Sequence, residues 1–334
     1  MTMKKGKYKF TISGIMLLIL FIFMMLLPQF LNSYQLRIFV QASIYMIFAM
    51  SLNLLMGIGG AVSFGHAAFY GIGAYTAAIL CMRYHMDFSL ALLLIMIVSG
   101  LSGCLLALPM SRVTGRYVTI VTLGFCEIVN IIMKNWISLT NGTMGIINIP
   151  NLTIFGYTLK SKTQLYYVVL IFVAITYILI QWLIHSKLGR NLRAMKDDHL
   201  AAEAMGIKIF NHKVIIFTIS AVFAGVSGAL YAHFIGYIDP TCFTSALSFT
   251  CISIVVVGGL GNFIGVLYSA LFLSILPEYL RNFDFLFHYR MIVYGIILVL
   301  VMWLNHSIQG EKLKKNIEGM FTGDRSKKER TVIQ

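Results

Sequence analysis

Long apolar runs, separated by short polar stretches, cover most of the chain. A helix needs about 20 apolar residues to cross the hydrocarbon core of a bilayer. Runs of that length predict an all-α polytopic membrane protein with about ten transmembrane helices. The predicted spans are 11–28, 34–56, 61–82, 88–110, 117–137, 164–184, 213–236, 244–261, 264–281 and 287–305.

Composition agrees with this pattern. Of the 334 residues, 59% are hydrophobic and 11% are charged, whereas soluble domains carry about 25% charged residues. A soluble globular domain is therefore excluded. The first run follows Lys4–Lys9 as in a signal peptide, but Pro28-Gln29-Phe30 offers no small-residue cleavage site, so we expect a retained first span.

The net charge of +14 is concentrated in a few places. Of the 26 lysines and arginines, 19 fall in four clusters. These clusters are Lys4–Lys9, Arg112–Arg116, Ser186–Lys213 and Lys312–Arg330. Ten crossings that start from a cytoplasmic N-terminus place all four clusters, and the C-terminus, on the cytoplasmic side, as the positive-inside rule requires.

This topology divides the chain into three parts. We expect a basic cytoplasmic N-terminus at 1–10, a single transmembrane domain at 11–305, and a cytoplasmic tail at 306–334 that is partly disordered. The basic clusters mostly lack interleaved aromatic residues, which argues against binding to nucleic acid.

Two glycine-rich segments interrupt the ordinary spans. Gly57–Ala78 contains 13 Gly, Ala or Ser among 22 residues, which predicts a helix packed deep in the bundle. Whether this segment spans the membrane fully or is broken at Gly57–Gly60 is left open. Thr244–Gly261 ends in clustered glycines, which indicates a tight turn between two short helices.

The stretch Ser186–Lys213 is the long polar interruption inside this apolar chain. Leu188, Leu192 and Met195 recur at helical spacing, which predicts a short amphipathic helix in water. Either Asp197 or Asp198 could cap a second short helix, and Gly206 is placed to end it. An ordinary loop whose basic residues only fix topology is the alternative.

Glu127 is the acidic residue that falls near the middle of a predicted span. A carboxylate at that depth is expected to face the bundle interior, either as a structural hydrogen-bonding group or as part of a transport pathway. The candidate partners are Asn53, His66 and Asn130.

Other chemistry is sparse. The five cysteines and eight histidines show no metal-ligand spacing, so no metal site is predicted, and His66 fits a packing role better than that of a ligand. The Gly-Xaa-Gly runs at Gly57 and Gly259 lack the third glycine of a dinucleotide fingerprint, and no phosphate-binding loop occurs. No catalytic residues are predicted.

The loop Ser138–Lys162 either folds against the bundle or is an ordinary surface loop.

Several blocks together resemble one family. They are SLNLLMGIGGAVSFGHAAFYGIGAYTAA, GRYVTIVTLGFCEI, SLTNGTMGI, LGRNLRAMKDDHLAAEAMGI, FTISAVFAGVSGALYAH and SIVVVGGLGNFIG. The chain is similar to the permease subunits of branched-chain amino-acid ABC importers, and to the longer of their two permeases. The Pro-Gly element that such permeases commonly carry after the last span is absent, since Asn305–Gln309 reads NHSIQ.

The resemblance implies a permease of the type II importer architecture, multi-pass in the plasma membrane of a prokaryote. It implies a second homologous permease, two ATP-binding cassette ATPases that hold ATP-Mg, and an extracytoplasmic solute-binding protein. No cofactor would bind this chain. Related permeases carry urea, amides or ribose, which leaves the solute open. An ion-coupled secondary transporter and a membrane-embedded enzyme are the rival interpretations.

The resemblance also assigns residues to two roles. The coupling loop, 186–212, would rest on the ATPase through Gly189, Arg190, Arg193, Ala194, Asp197, Asp198, Ala201, Ala202, Glu203 and Gly206. Candidates for the translocation path or for the packing around it are Ser63, Gly65, His66, Gly71, Gly73, Glu127, Gly258, Gly259 and Gly261.

Overall fold

Helices form nearly all of the regular structure. A computed structural model describes residues 17, 19–110, 116–280, 295 and 299. The helices are α1 (Ile19–Gln29), α2 (Ser33–Asn53), α3 (His66–Arg83), α4 (Phe88–Met110), α5 (Arg116–Asn135), α6 (Ile137–Thr140), α7 (Lys162–His185), α8 (Lys187–Asp197), α9 (His199–Ala204), α10 (Ile209–Ile235), α11 (Ser245–Gly258) and α12 (Phe263–Leu280). Four two-residue strands are β1 (Ile146–Ile147), β2 (Thr153–Ile154), β3 (Tyr157–Thr158) and β4 (Tyr237–Ile238).

Five helical stretches in the described part are long and apolar enough to cross a membrane. They are Ser33–Ile58, Phe88–Met110, Tyr117–Asn135, Lys162–His185 and Ile209–Ile235. The chain divides into two units, Met1–Glu278 and Tyr279–Gln334. The predicted tenth span, 287–305, the basic termini and most of the Arg112–Arg116 cluster lie outside the described residues, so the count of ten and the side of each terminus stay predictions.

The centre of the first unit is α2. Every residue from Ala42 to Ile58 except Tyr45 is buried. Past Asn53 the helix widens into a π-turn over Leu54–Ile58, and regular structure resumes only at His66. The predicted span 61–82 was therefore wrong in its first turn, and the alternative of a break near Gly57–Gly60 is confirmed. Glycines supply the conformational freedom that this break needs, since Gly60 has φ +69°.

Small residues let α3, α10 and α4 approach closely around this centre. The helix α10 packs against α2, α3 and α4. A Cβ added at Gly73 would overlap the backbone of Gly225, and one at Gly228 would overlap the backbone of Tyr70. Backbone contact of this kind is how small residues hold helices together in lipid, where the hydrophobic effect between helices is absent. The predicted deep packing of Gly57–Ala78 is confirmed for its α3 part, whereas Gly60 and Val62 are exposed.

The loop Ser138–Lys162 folds against one end of the bundle rather than extending from it. β1 pairs with β4 in antiparallel register, and the N–H of Ile149 donates to the Gly236 carbonyl at 3.0 Å. His233 Nδ1 lies 2.8 Å from the carbonyl oxygen of Pro150. Leu152, 1% exposed, is buried beneath these contacts.

The carboxylate of Asp239 stabilises a turn at the same end of the bundle. Asp239 begins the turn Pro240–Phe243 and accepts hydrogen bonds from the N–H groups of Thr241 at 2.6 Å and Cys242 at 3.2 Å. Partial burial opposes the charge, but these bonds and the Thr241 hydroxyl outweigh it and hold the pKa of the Asp239 carboxyl below its ordinary value.

The close approach of α3 and α10 predicts that alanine substitutions at two glycines differ in their effect on stability. Gly73→Ala forces a methyl group into the Gly225 backbone, so we expect a loss of about 1–3 kcal/mol in the free energy of unfolding. Gly124→Ala is the matched control, because no atom lies within 4 Å of a Cβ built there. Thermal unfolding of the detergent-purified chain measures both variants. Equal melting temperatures for the two would contradict this packing.

Candidate functional site

The coupling loop folds into two short helices joined at a sharp corner. On α8, Leu192 and Met195 are buried and Leu188 is half-buried, as the spacing of these apolar residues predicted. The helix begins at Ser186, whose side-chain oxygen accepts from the N–H of Gly189. One face of α8 therefore lies on the bundle and the other is open to solvent.

Asp198 is the residue that caps the second helix. Its Oδ1 accepts from the N–H groups of Leu200 at 2.9 Å and Ala201 at 3.1 Å, whereas Asp197 remains exposed at the end of α8. Gly206, with φ +79°, closes α9, and the N–H of the next residue, Ile207, returns to the carbonyl of Ala202 at 3.1 Å. The predicted left-handed glycine end is confirmed.

Three of the predicted coupling residues attach the loop to the end of α7. A Cβ at Gly189 would overlap the carbonyl of Ile184, so only glycine permits this approach. Arg193 Nη2 donates to the same carbonyl at 2.6 Å, and Arg190 Nη1 donates to the His185 carbonyl at 3.1 Å. Cations at the C-terminal end of a helix stabilise its unpaired carbonyls. These side chains therefore fix the loop in place.

The remaining predicted residues form an open surface. Ala194, Asp197, Ala201 and Glu203 are exposed, and Ala202 is buried beneath α9. Two large apolar side chains that the sequence reasoning did not assign to a site, Leu200 and Met205, are 80% and 84% exposed on the same short helix and its end. The sequence feature that could have identified them is the position of one large apolar residue on either side of the Ala-Ala-Glu-Ala run.

The break between α2 and α3, residues 57–65, is here named the glycine joint. The N–H of Phe64 donates to Thr122 Oγ1 on α5 at 3.1 Å. The N–H of Ala67, in the first turn of α3, donates to Ser248 Oγ on α11 at 2.8 Å. Irregular backbone at membrane depth needs such internal partners because lipid offers none. The glycine joint is therefore held by side chains from two other helices.

The predicted path residues around the glycine joint are packed inside the chain. Ser63, Gly65, His66, Gly71 and Gly73 are all buried. His66 Nε2 lies 2.8 Å from Ser51 Oγ, whose proton is donated to the Phe48 carbonyl at 2.6 Å, so the imidazole is the donor to the hydroxyl. A Cβ at Gly65 would overlap the Thr122 carbonyl. Packing therefore accounts for these residues within the described chain.

The turn between α11 and α12 lies against the glycine joint. Gly259 and Gly261 have φ of +91° and +82°, which explains the glycines that predicted this turn. The N–H of Gly261 donates to Asn53 Oδ1 at 2.9 Å, and a Cβ at Gly57 would lie 2.8 Å from the Gly261 Cα. Gly258 packs in the same way against Val266 and Gly265.

The expectation that Glu127 faces the interior of this chain was wrong. Its side chain is exposed on α5, while Asn130 donates to the Pro240 carbonyl at 2.6 Å and Asn53 and His66 bond elsewhere. Position along a helix gives depth in the membrane but not the direction in which a side chain points. The exposed face also carries Gly124, Ile128 and Ile131.

Nothing in the described ranges assembles a metal site. Among residues 19–110 and 116–280, no three His, Cys, Asp or Glu side chains come close enough together to hold an ion. The five cysteines are all unpaired thiols, three of them buried. The chemistry available around the coupling loop and glycine joint is hydrogen bonding and backbone packing.

A mostly helical bundle that contains five membrane-length helices in its described part defines a polytopic helical membrane protein. The family profile described as "Branched-chain amino acid transport system / permease component" matches residues 34–302, and the chain belongs to this family.

Individual relatives agree with the family. The chain is 36% identical over 282 residues to the high-affinity branched-chain amino acid transport system permease protein LivM of Salmonella typhimurium LT2, covering 78% of this chain and 66% of that protein. Identity to LivM of Escherichia coli K12 is 34%, with the same shares. LivH of Escherichia coli K12 is 25% identical over 278 residues, 78% of this chain and 89% of LivH. No solved structure matches the chain.

The two aspartates at the corner between α8 and α9 give a direct test of the cap. Asp198→Ala removes the acceptor for two amide groups, which costs about 1 kcal/mol at a helix N-terminus. We expect amide hydrogen exchange in 199–205 to become roughly fivefold faster. Asp197→Ala is the control and should leave that exchange unchanged. Equal effects of the two substitutions would show that the cap is misassigned.

Proposed function

We propose that this chain is the permease subunit of an ATP-driven importer of the type II architecture. Its solute would be a branched-chain or other neutral amino acid, and ATP would be hydrolysed by a separate subunit bound to the coupling loop. Membership of the branched-chain permease family supports this function. The orientation follows from the basic clusters: the N-terminus, the C-terminus and the coupling loop lie in the cytoplasm of a prokaryote.

The observation that carries the proposal is the open surface of the coupling loop. Leu200, Glu203 and Met205 project from α9 and its end, and α9 is capped at both ends by Asp198 and Gly206. The preceding helix, α8, is held to α7 by hydrogen bonds from Arg190 and Arg193. Large exposed apolar side chains on a rigid element are typical of protein contacts. A loop that only fixed topology would need neither the caps nor the apolar surface.

A second permease would cover the exposed face of α5. Glu127 is the twelfth of the 20 residues of α5, so it lies about 16 Å along the helix axis from its start. Placing an ionised side chain in lipid at this depth costs about 2.5–3.5 kcal/mol. A second, homologous permease would remove that cost by covering the face, and the translocation path would lie between the two chains. Alternating access would come from rocking of the two halves.

The solute and the remaining partners rest on the relatives. LivM and LivH are named as branched-chain amino acid permeases, which supports an amino acid as the solute. An extracytoplasmic solute-binding protein that delivers the solute is part of the same proposal. A sugar is the second candidate, because the ribose import permease protein RbsC of Escherichia coli K12 is 23% identical over 79% of this chain and 72% of RbsC. Competition for uptake by leucine and by ribose would separate the two.

The test of the proposal is retention of the ATPase. The chain is purified from cells that express the whole transport system, and the bound ATPase is quantified. Glu203→Lys and Met205→Asp alter exposed side chains of the open surface and leave the capping side chain of Asp198 and the left-handed Gly206 unchanged. We therefore expect about tenfold less ATPase with each variant, as at the centre of a protein interface.

Lys160→Glu is the matched control, since Lys160 is an exposed charged residue at the opposite end of the bundle. This variant should retain as much ATPase as the unchanged chain. The proposal fails if the purified chain alone moves solute into liposomes without ATP, or if no ATPase accompanies the unchanged chain.

The position of the second permease has its own test. A photo-crosslinking amino acid at position 127 should capture the second permease in membranes, because it replaces an exposed side chain on the face that the partner would cover. The same probe at Leu101, an exposed site on α4, measures background capture. Recovery of lipid adducts alone from position 127 would contradict the proposed arrangement.

A further inference from the structure

One residue of the coupling loop contacts the end of the helical bundle directly. Lys196, in the last turn of α8, extends its side chain away from the loop, and its Nζ donates to the carbonyl oxygen of Gly57 at 2.7 Å. The two residues are 139 positions apart in the chain. This bond connects the coupling loop to the glycine joint directly, without passing through α7.

The Gly57 carbonyl is available because the helix changes its geometry there. In the π-turn the N–H of Gly59 donates to the Leu54 carbonyl at 3.2 Å, and the N–H of Ala61 donates to the Leu55 carbonyl at 3.2 Å. Among the described residues, no backbone N–H donates to Gly57. A carbonyl left over at the C-terminal end of a helix is a favourable position for a cation.

The backbone is also shaped to admit the lysine stem. A Cβ at Gly60 would lie 3.0 Å from Lys196 Cγ and 3.3 Å from Lys196 Cβ, so any larger side chain would crowd the stem. Gly60 has φ +69°, a conformation that other residues rarely adopt. Glycine at this position therefore serves both the turn of the chain and the passage of Lys196.

The bond ends at a point where several elements meet. On its other side Gly57 packs against Gly261, and Asn53 Oδ1 accepts the Gly261 N–H at 2.9 Å. Gly261 belongs to the turn between α11 and α12. Ser220 on α10 donates at 2.7 Å to the carbonyl of Ser51 in α2, six residues before Gly57. A displacement of Lys196 would therefore act on α2, α3 and the α11–α12 turn together.

We propose that Lys196 is a positioning residue that transmits movement of the coupling loop to the glycine joint through its bond to the Gly57 carbonyl. This inference rests on the proposed function, because it assumes that an ATPase moves the loop. A cation bonded to the Gly57 carbonyl at the end of α2 gives the loop a second attachment, independent of the one that Arg193 makes to α7. Movement of α8 would then change the angle between α2 and α3 instead of displacing α7 alone.

The experiment compares three substitutions in the complete transport complex in liposomes. Lys196→Met keeps an unbranched stem and removes the ammonium group, Lys196→Arg keeps a cationic donor, and Lys187→Met removes the same charge from an exposed position on the same helix. Three quantities are measured for each variant: the ATPase bound, the rate of ATP hydrolysis, and the solute moved per ATP hydrolysed.

We expect Lys196→Met to retain the ATPase and its hydrolysis while the solute moved per ATP falls about tenfold, as loss of a bond to a charged group implies. Lys196→Arg should retain most of the solute moved per ATP hydrolysed, and Lys187→Met should leave this quantity unchanged. A general folding defect would lower bound ATPase and hydrolysis as well. An unchanged ratio in Lys196→Met overturns the proposal.

A second measurement separates this inference from the proposed function. Amide hydrogen exchange at 58–62 and 259–262 in the chain purified without partners should be faster in Lys196→Met than in Lys187→Met. Unchanged exchange overturns the role of Lys196 even where the ATPase binds. A wild-type chain that retains no ATPase would instead overturn both the proposed function and the transmission of movement that depends on it.

Discussion

The structure depends on hydrogen bonds to the irregular backbone between α2 and α3, most of which the bundle shields from solvent. Between Asn53 and His66 the chain leaves the α-helix, and each N–H or C=O freed there would cost several kcal/mol in hydrocarbon if unpaired. Thr122, Ser248 and Lys196 supply partners from three different elements. Because these partners come from α5, α11 and α8, the break fixes where those elements lie. These three side chains hold the break in place through hydrogen bonds to its backbone and to the first turn of α3.

The small residues follow from the same constraint. Hydrogen bonds to a backbone reach about 3 Å, so the elements that donate and accept them must approach closely. Gly73 against Gly225 and Gly57 against Gly261 allow that approach, where any side chain would hold the backbones apart. Glycine costs helix stability in water, but within a packed bundle it permits the contact that holds the helices together. The glycine-rich composition of the joint is therefore a condition for its hydrogen bonding.

Much of this arrangement could be predicted from local sequence, and the rest depended on contacts between distant residues. Apolar length located the membrane-length helices of the described part to within about five residues. The cap of α9 could be predicted to be one of two neighbouring aspartates because capping is local chemistry. The orientation of Glu127 was predicted wrongly because its depth is set by position along α5, while its exposure is set by which helices surround α5. The bond from Lys196 to Gly57 joins residues far apart in the chain and has no signature in either stretch.

The two attachments of the coupling loop have different mechanical consequences. Arg193 and Gly189 fix the start of α8 to the end of α7, whereas Lys196 fixes the end of α8 to α2. A helix attached at one end only would rotate about that attachment, and little of an applied displacement would reach the rest of the bundle. A helix attached at both ends transmits the displacement to the attached element that deforms more easily. The α7 attachment joins an unbroken helix of 24 residues, and the α2 attachment joins a π-turn followed by irregular backbone. Because the irregular backbone deforms more easily than a continuous helix, the proposed movement of α8 would be directed into the break between α2 and α3.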